Sequence, residues 1–120
     1  MIKAYLLDVN QKDLHTLSSM LQHTGKVNVI GMSACPRDVV DQIILLEPDV
    51  LFLDLQLPGQ QGIVVAELVK RKLPAIQIVV VTENKQHALW AFDHNIVDYV
   101  LKPLEAARLG QSVERLRKGS

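Results

Sequence analysis

Four polar residues each close a short apolar run: Asp8 after Tyr5-Leu6-Leu7, Asp54 after Val50 to Leu53, Thr82 after Ile78 to Val81, and Lys102 after Tyr99-Val100-Leu101. Singly, each has an ordinary structural explanation, since Asp and Thr cap helices and a Lys before Pro is a common turn residue. Together they supply two carboxylates, a hydroxyl and an ammonium, which is the set needed to handle a phosphoryl group. A carboxylate can attack phosphorus to form an acyl phosphate. Beyond that, phosphoryl transfer asks mainly for positioning and charge neutralisation. Lys102 offers a point charge to a phosphoryl oxygen and Thr82 a hydroxyl donor, while carboxylate oxygens with backbone carbonyls suit octahedral Mg²⁺. Asp54 is the better-placed nucleophile, because the run it ends is the third and central one.

The elements that must position these groups follow from the hydrophobic pattern. Five runs, Ala4 to Leu7, Val27 to Met32, Val50 to Leu53, Ile76 to Val81 and Ile96 to Leu101, are apolar at nearly every position, as parallel strands buried on both faces require. Helical spacing lies between and after them: Leu14, Leu17 and Leu21; Val39, Val40, Ile43, Ile44 and Leu46; Ile63, Ala66 and Val69; Ala88, Ala91 and Phe92; and Ala106, Leu109, Val113 and Leu116. Pro36 and Pro103 are placed at first helical turns, and Pro58-Gly59 punctuates the loop after the third strand. Strict β-α alternation predicts an α/β, flavodoxin-like, doubly wound sheet of five parallel strands in the order 2-1-3-4-5, with helices on both faces. Ligands of such sheets bind beyond the carboxyl ends of the strands, where the strand order reverses. That is the edge on which the four polar residues fall.

At 120 residues the chain is one domain, 1–120, with ordinary globular composition: 48% hydrophobic and 22% charged. Thirteen basic and thirteen acidic side chains leave no net field to draw in nucleic acid or an anionic membrane. No apolar run approaches the roughly 18 residues of a membrane span, and the N-terminus has no signal-peptide pattern, so a cytoplasmic location is expected. The lone Cys35, followed by Pro36 and with no His nearby in sequence, is expected to be structural, and it agrees with a reducing compartment.

The motifs Asp54-Leu55-Gln56-Leu57-Pro58-Gly59 with Gly62, then Thr82, then Asp98-Tyr99-Val100-Leu101-Lys102-Pro103 resemble the receiver domain of bacterial two-component response regulators. The resemblance covers essentially the whole chain. Ala88 to Pro103, with Ala91-Phe92 and Val97-Asp98-Tyr99, is most similar to receivers joined to LytTR DNA-binding domains. The resemblance implies that Asp54 accepts phosphate from a sensor histidine kinase, that Asp8, Asp54 and the Gln56 carbonyl hold Mg²⁺, and that Lys102 contacts the phosphoryl group. It further implies that Thr82 is the switch hydroxyl, that Tyr99 is the aromatic whose rotation follows it, and that the peptide before Pro103 is cis. On this basis the domain is a phosphorylation-dependent interaction switch, not a turnover enzyme. Its output would be a DNA-binding domain elsewhere in the full-length chain.

Two departures from the family pattern bear on the site. Where receivers usually carry two adjacent acids, this chain has Asp8-Val9, followed by Asn10. Val9 removes a direct oxygen ligand, so weaker Mg²⁺ binding is expected. Glu83 replaces the small residue that commonly follows the switch Thr. The alternative is therefore a degenerate pseudo-receiver that signals by protein contacts without phosphate. Two readings from other classes are weaker. Asp8-Val9-Asn10 resembles the Asp-x-Asp motif of haloacid dehalogenase-like phosphatases but lacks the second Asp, and the loop after the first strand lacks the Gly, Ser and Thr donors of a flavin phosphate site.

Of the remaining candidates, His15, His23, His87 and His94 form no recognisable metal set, and His87 and His94 are simply seven apart on the fourth helix. Trp90 sits one position off the fourth helix stripe, either as an exposed anchor for a partner or as a ring at the stripe's edge. From Lys102 onward, Lys102, Arg108, Arg115, Arg117 and Lys118 outnumber Glu105 and Glu114. A solvated helix end complementing its dipole explains this more simply than direct nucleic-acid binding does. The fourth helix, fifth strand and fifth helix are expected to form the partner surface and a possible homodimer contact, and Gly119-Ser120 is expected to be a linker or expression remnant.

Overall fold

The computed structural model describes residues 1–57 and 61–117, with only the backbone of Gln61. Pro58-Gly59, Lys118 and Gly119-Ser120 lie outside the described residues. The strands are β1 (Ile2–Leu7), β2 (Val27–Ser33), β3 (Val50–Leu53), β4 (Gln77–Thr82) and β5 (Asp98–Leu101). The helices are α1 (Gln11–His23), α2 (Val39–Leu46), α3 (Gln61–Lys72), α4 (Ala88–Asp93) and α5 (Ala106–Glu114), and a 3-10 turn at Lys85–His87 leads into α4. All strand pairs are parallel and the order is β2-β1-β3-β4-β5, as the alternation predicts.

The strands are apolar throughout because both faces are covered. Alternate residues face opposite ways. Ala4, Leu6, Phe52, Val79 and Val81 pack with Leu14, Leu17 and Leu21 of α1 and Leu109 and Val113 of α5. Tyr5, Leu7, Leu51, Leu53 and Val80 pack with Val39 and Ile43 of α2 and Val65, Ala66 and Val69 of α3. Each buried aliphatic side chain stabilises the fold by about 1.5–3 kcal/mol relative to exposure, so the sheet holds the strand ends rigidly in register.

Two glycines are required by close approach. A Cβ on Gly31 would lie 2.7 Å from the Tyr5 ring. On Gly62, at the start of α3, it would lie 2.7 Å from the Leu55 Cα, a backbone atom that cannot yield cheaply. Gly62 thus seats α3 against the segment that carries Asp54.

The structure departs from the sequence expectations in four places. Neither Pro36 nor Pro103 lies in a first helical turn, since α2 begins at Val39 and α5 at Ala106. Pro36 belongs to the loop after β2, and Pro103 follows a cis Lys102–Pro103 peptide. On α4 the buried residue is Ala91, with Trp90 packed half-buried against the core, whereas Phe92 is 83% exposed and Leu89 73%. Trp90 is therefore a ring at the edge of the core, stacked on His94 with centroids 4.4 Å apart. His87 and His94 flank α4 rather than lying along it. Finally, Cys35 is exposed in the loop after β2.

Candidate functional site

Parallel register brings the polar strand ends together. Leu7 pairs with Leu53, so Asp8 and Asp54 leave adjacent strands side by side, and the Asp54 N–H donates to the Leu7 carbonyl at 3.0 Å. On the other side of β3, Thr82 pairs with Leu101, and the Lys102 N–H donates to the Thr82 carbonyl at 2.9 Å. Asp8, Asp54 and Thr82 are all buried.

The Lys102 ammonium stands at the centre of the cluster. It donates to Asp8 Oδ2 at 2.7 Å, to Asp54 Oδ2 at 2.9 Å and to Asp13 Oδ2 at 2.7 Å. An ammonium has three N–H groups, so every one of them is used. The Lys102 side chain is only 8% exposed. It is thus not the solvated turn lysine that its place before Pro103 permits.

The remaining oxygens of the two buried carboxylates are held by the backbone. Asp8 Oδ1 accepts the Asn10 N–H at 2.9 Å and Asp54 Oδ1 accepts the Gln56 N–H at 2.8 Å. Burial pushes the Asp8 carboxyl above its ordinary value, the Lys102 and Asn10 hydrogen bonds opposing that rise and the neighbouring Asp54 charge adding to it. Burial would also depress the Lys102 ammonium, but the hydrogen bonds to Asp13, Asp8 and Asp54 outweigh it and hold Lys102 above the ordinary lysine value.

Thr82 and Tyr99 both bond to the backbone of Asn84 beyond this cluster. The Asn84 N–H donates to Thr82 Oγ1 at 3.4 Å, and the Tyr99 hydroxyl donates to the Asn84 carbonyl. Glu83 lies between them in sequence with its side chain exposed. Farther along β5, Asp98 is gripped by Arg108 through both guanidinium nitrogens, at 2.8 and 2.9 Å, and by Arg115 at 3.0 Å. Burial raises the Asp98 carboxyl, but the Arg108 bonds, the Tyr99 N–H and both arginine charges hold it below the usual carboxylate value. Arg108 and Arg115 therefore tie α5 and the residue after it to β5 rather than forming a free basic face.

The sequence-derived set Asp8, Asp54, Thr82 and Lys102 is gathered at one edge, with Gln56 exposed on the loop above it. Val9 is also exposed, at 43%, and supplies no oxygen. Asp13 was missed. It is the third residue of α1, its N–H capped by the Asn10 side chain at 3.0 Å. In sequence it passes for the acid expected in a helix first turn. The approach of Lys102 from 89 residues away gives it another meaning.

The oxygen-only donor chemistry suits a hard divalent cation. With all three carboxylates ionised, the single ammonium balances only one of them. Among the described residues no three acidic, His or Cys side chains are arranged to hold a metal ion by themselves, because the three carboxylates that come together do so around Lys102. Mg²⁺ commonly uses one or two carboxylates and keeps several waters, and Asp8 with Asp54 meets that need.

The family model for the response regulator receiver domain matches residues 5–114. The chain belongs to the response regulator receiver family. It is 31% identical over 118 residues to the sensory transduction protein LytT of Bacillus cereus, covering 98% of this chain and 48% of that protein. The transcriptional regulatory protein BtsR of Escherichia coli is 33% identical over 120 residues, covering 98% of this chain and 49% of the relative. This receiver thus spans about half the length of the curated relatives it matches. Among solved structures, RcsB of Salmonella enterica, bound to a promoter in the presence of a phosphomimetic, superposes with a TM-score of 0.85 at 26% identity, covering 98% of this chain and all of that one. The response regulatory domain of mrkE from Klebsiella pneumoniae gives 0.87 at 24% identity, covering 96% and 94% of the two chains. Receiver domains generally bind Mg²⁺ at their acidic pocket, and response regulators partner with histidine kinases. Among the described residues no helix is long and apolar enough to cross a membrane.

Proposed function

We propose that this receiver accepts a phosphoryl group on Asp54 from a sensor histidine kinase and thereby switches a protein-interaction surface controlling an output domain. The observation that carries this is the placement of Asp54: buried at the end of the central strand, beside Asp8 and within hydrogen-bond distance of Lys102. In the transfer, a carboxylate oxygen of Asp54 bonds to phosphorus while the phosphorus–nitrogen bond of the donor phosphohistidine breaks, leaving an acyl phosphate. Lys102 neutralises charge on the phosphoryl oxygens and Thr82 donates its hydroxyl to them. Asp8, Asp54 and the Gln56 carbonyl would hold Mg²⁺, which when bound supplies further charge neutralisation. With Val9 beside Asp8, that binding is weaker than in a receiver with paired acids.

The switch runs through Asn84. A Thr82 hydroxyl turned toward the phosphoryl group gives up its bond from the Asn84 N–H, and the carbonyl on the other side of the Asn84 Cα holds the Tyr99 hydroxyl. The surface it controls comprises α4, β5 and α5, where Leu89 and Phe92 are exposed, and it serves a partner or a second copy of the chain. Residues 1–120 form the receiver unit. By analogy with the transcriptional regulatory protein BtsR, the output is transcriptional and its DNA contacts belong to another domain. Turning an equilibrium of two such states fully over needs about 5.5 kcal/mol of differential binding. NMR shift mapping with beryllofluoride and Mg²⁺ should show changes running from Asp54 through Thr82 and Asn84 to Tyr99 and Trp90. Changes confined to the strand-end loops would refute the coupling. Val9, exposed beside Asp8 and supplying no oxygen, favours a second reading, a pseudo-receiver acting without phosphate, and beryllofluoride that does not bind would support it.

A further inference from the structure

Lys102 is the cation of the site, and its three acceptors are not equivalent. Asp8 and Asp54 each also accept a backbone N–H, and in the proposed function both are committed elsewhere, Asp8 to the metal and Asp54 to phosphorus. Asp13 has neither duty. Its carboxylate, 30% exposed, meets Lys102 at 2.7 Å, and among the described residues no other cation contacts it. Its backbone is fixed by the Asn10 cap at the rigid start of α1, whose Leu14 and Leu17 are anchored in the core. A long lysine side chain loses substantial rotamer freedom when held in one place. A charged acceptor on a rigid element lets it stay there while its other partners change.

We propose that Asp13 is a positioning residue that tethers Lys102, keeping its ammonium aimed at Asp54 when Asp8 and Asp54 are engaged in phosphoryl chemistry. This rests on the reading of Asp54 as phosphoacceptor and adds a residue to its machinery. Asp13 contacts Lys102 and not the reacting atoms, so its removal leaves the phosphoryl-accepting carboxylate intact but lets the charge that should meet the phosphoryl oxygens wander. The loss therefore falls on the rate at saturating metal rather than on the metal requirement.

The test uses the full chain as wild type and as Asp13→Asn, Asp13→Ala and Asp13→Glu, each with its folding checked by urea unfolding. Initial phosphorylation by acetyl phosphate is followed against Mg²⁺ concentration, and exchange of the Lys102 ammonium protons is followed by ¹H–¹⁵N NMR without any phosphoryl donor. Asp13→Asn and Asp13→Ala should lower the maximal rate about tenfold and speed ammonium exchange, with the half-saturating Mg²⁺ concentration moving less than about threefold. Asp13→Glu, which keeps the charge, should recover much of both. An unchanged or raised maximal rate overturns the tether, as does unchanged Lys102 exchange. A shift confined to the Mg²⁺ requirement overturns it too, since Asp13 would then serve the cation directly. If wild type takes up no phosphate, the phosphoacceptor reading fails, and the donor-free exchange measurement still decides whether Asp13 holds Lys102.

Discussion

Replacing Lys102 by Met keeps much of the side-chain volume and removes the one cation among three carboxylates. The Oδ2 atoms of Asp8 and Asp54 both bond to Nζ, at 2.7 and 2.9 Å, so they stand no more than about 5.6 Å apart. At an effective dielectric of about 20, two unit charges at that separation repel by about 3 kcal/mol. Breaking a buried ion pair by removing one partner costs about 3–5 kcal/mol, and the two estimates agree in scale. A solvent-edge lysine would cost within about 1 kcal/mol. The 8% exposure of Lys102 decides for the larger figure. In urea unfolding at pH 7 with EDTA, Lys102→Met should lose about 3–5 kcal/mol, while exposed Lys12→Met changes stability by less than about 0.5 kcal/mol. Adding Mg²⁺ should narrow the gap, because a divalent ion bound only by the folded state replaces the lost charge. A loss below about 1 kcal/mol, or a gap that Mg²⁺ leaves untouched, would refute the electrostatic reasoning.

Three further outcomes follow from the geometry. Val9→Asp should tighten Mg²⁺ binding in calorimetry while destabilising the metal-free protein, because it adds a carboxylate beside Asp8; an unchanged affinity would mean another group already fills that coordination position. Asp98 has its folded pKa depressed, so its pairing contributes stability that is fully present above the ordinary carboxylate pKa and lost as pH falls through the lower, folded value. Arg108→Ala should remove about 2 kcal/mol near neutrality and shrink the further loss on acidification, because the folded Asp98 pKa moves back toward its unfolded value, as followed by thermal unfolding between pH 2 and 7; an unaltered acid limb would contradict this. Gly62→Ala places a Cβ 2.7 Å from the Leu55 backbone and should cost about 1–3 kcal/mol in urea unfolding, a stability equal to wild type showing that α3 can shift freely.

The sheet was legible because its strands are buried on both faces and so read as unbroken apolar runs, and strand order followed from the alternation. The site was legible for the same reason, since in a parallel sheet the residue after each run must reach one common edge. Helix starts were less so. Pro36 and Pro103 satisfy the local rule for a first turn, yet the chain uses them in loops three residues before α2 and α5 begin. The α4 stripe was misplaced from Trp90 to Phe92 because six residues give too few positions to define a face. Asp13, Arg108 and Arg115 were invisible in their roles, because a charged residue on an amphipathic helix looks solvated until a distant element brings its partner. Here the partners arrive with Lys102, just after β5, and with Asp98, at its start.

The central claim is that Asp54 takes up the phosphoryl group, and intact-mass analysis after incubation with acetyl phosphate and Mg²⁺ tests it most directly. Wild type should gain the mass of a single phosphoryl group, and the Asp54→Asn protein, otherwise folded, should gain none. An equal gain on both proteins, or no gain on wild type with acetyl phosphate or with any other phosphoryl donor, would contradict it.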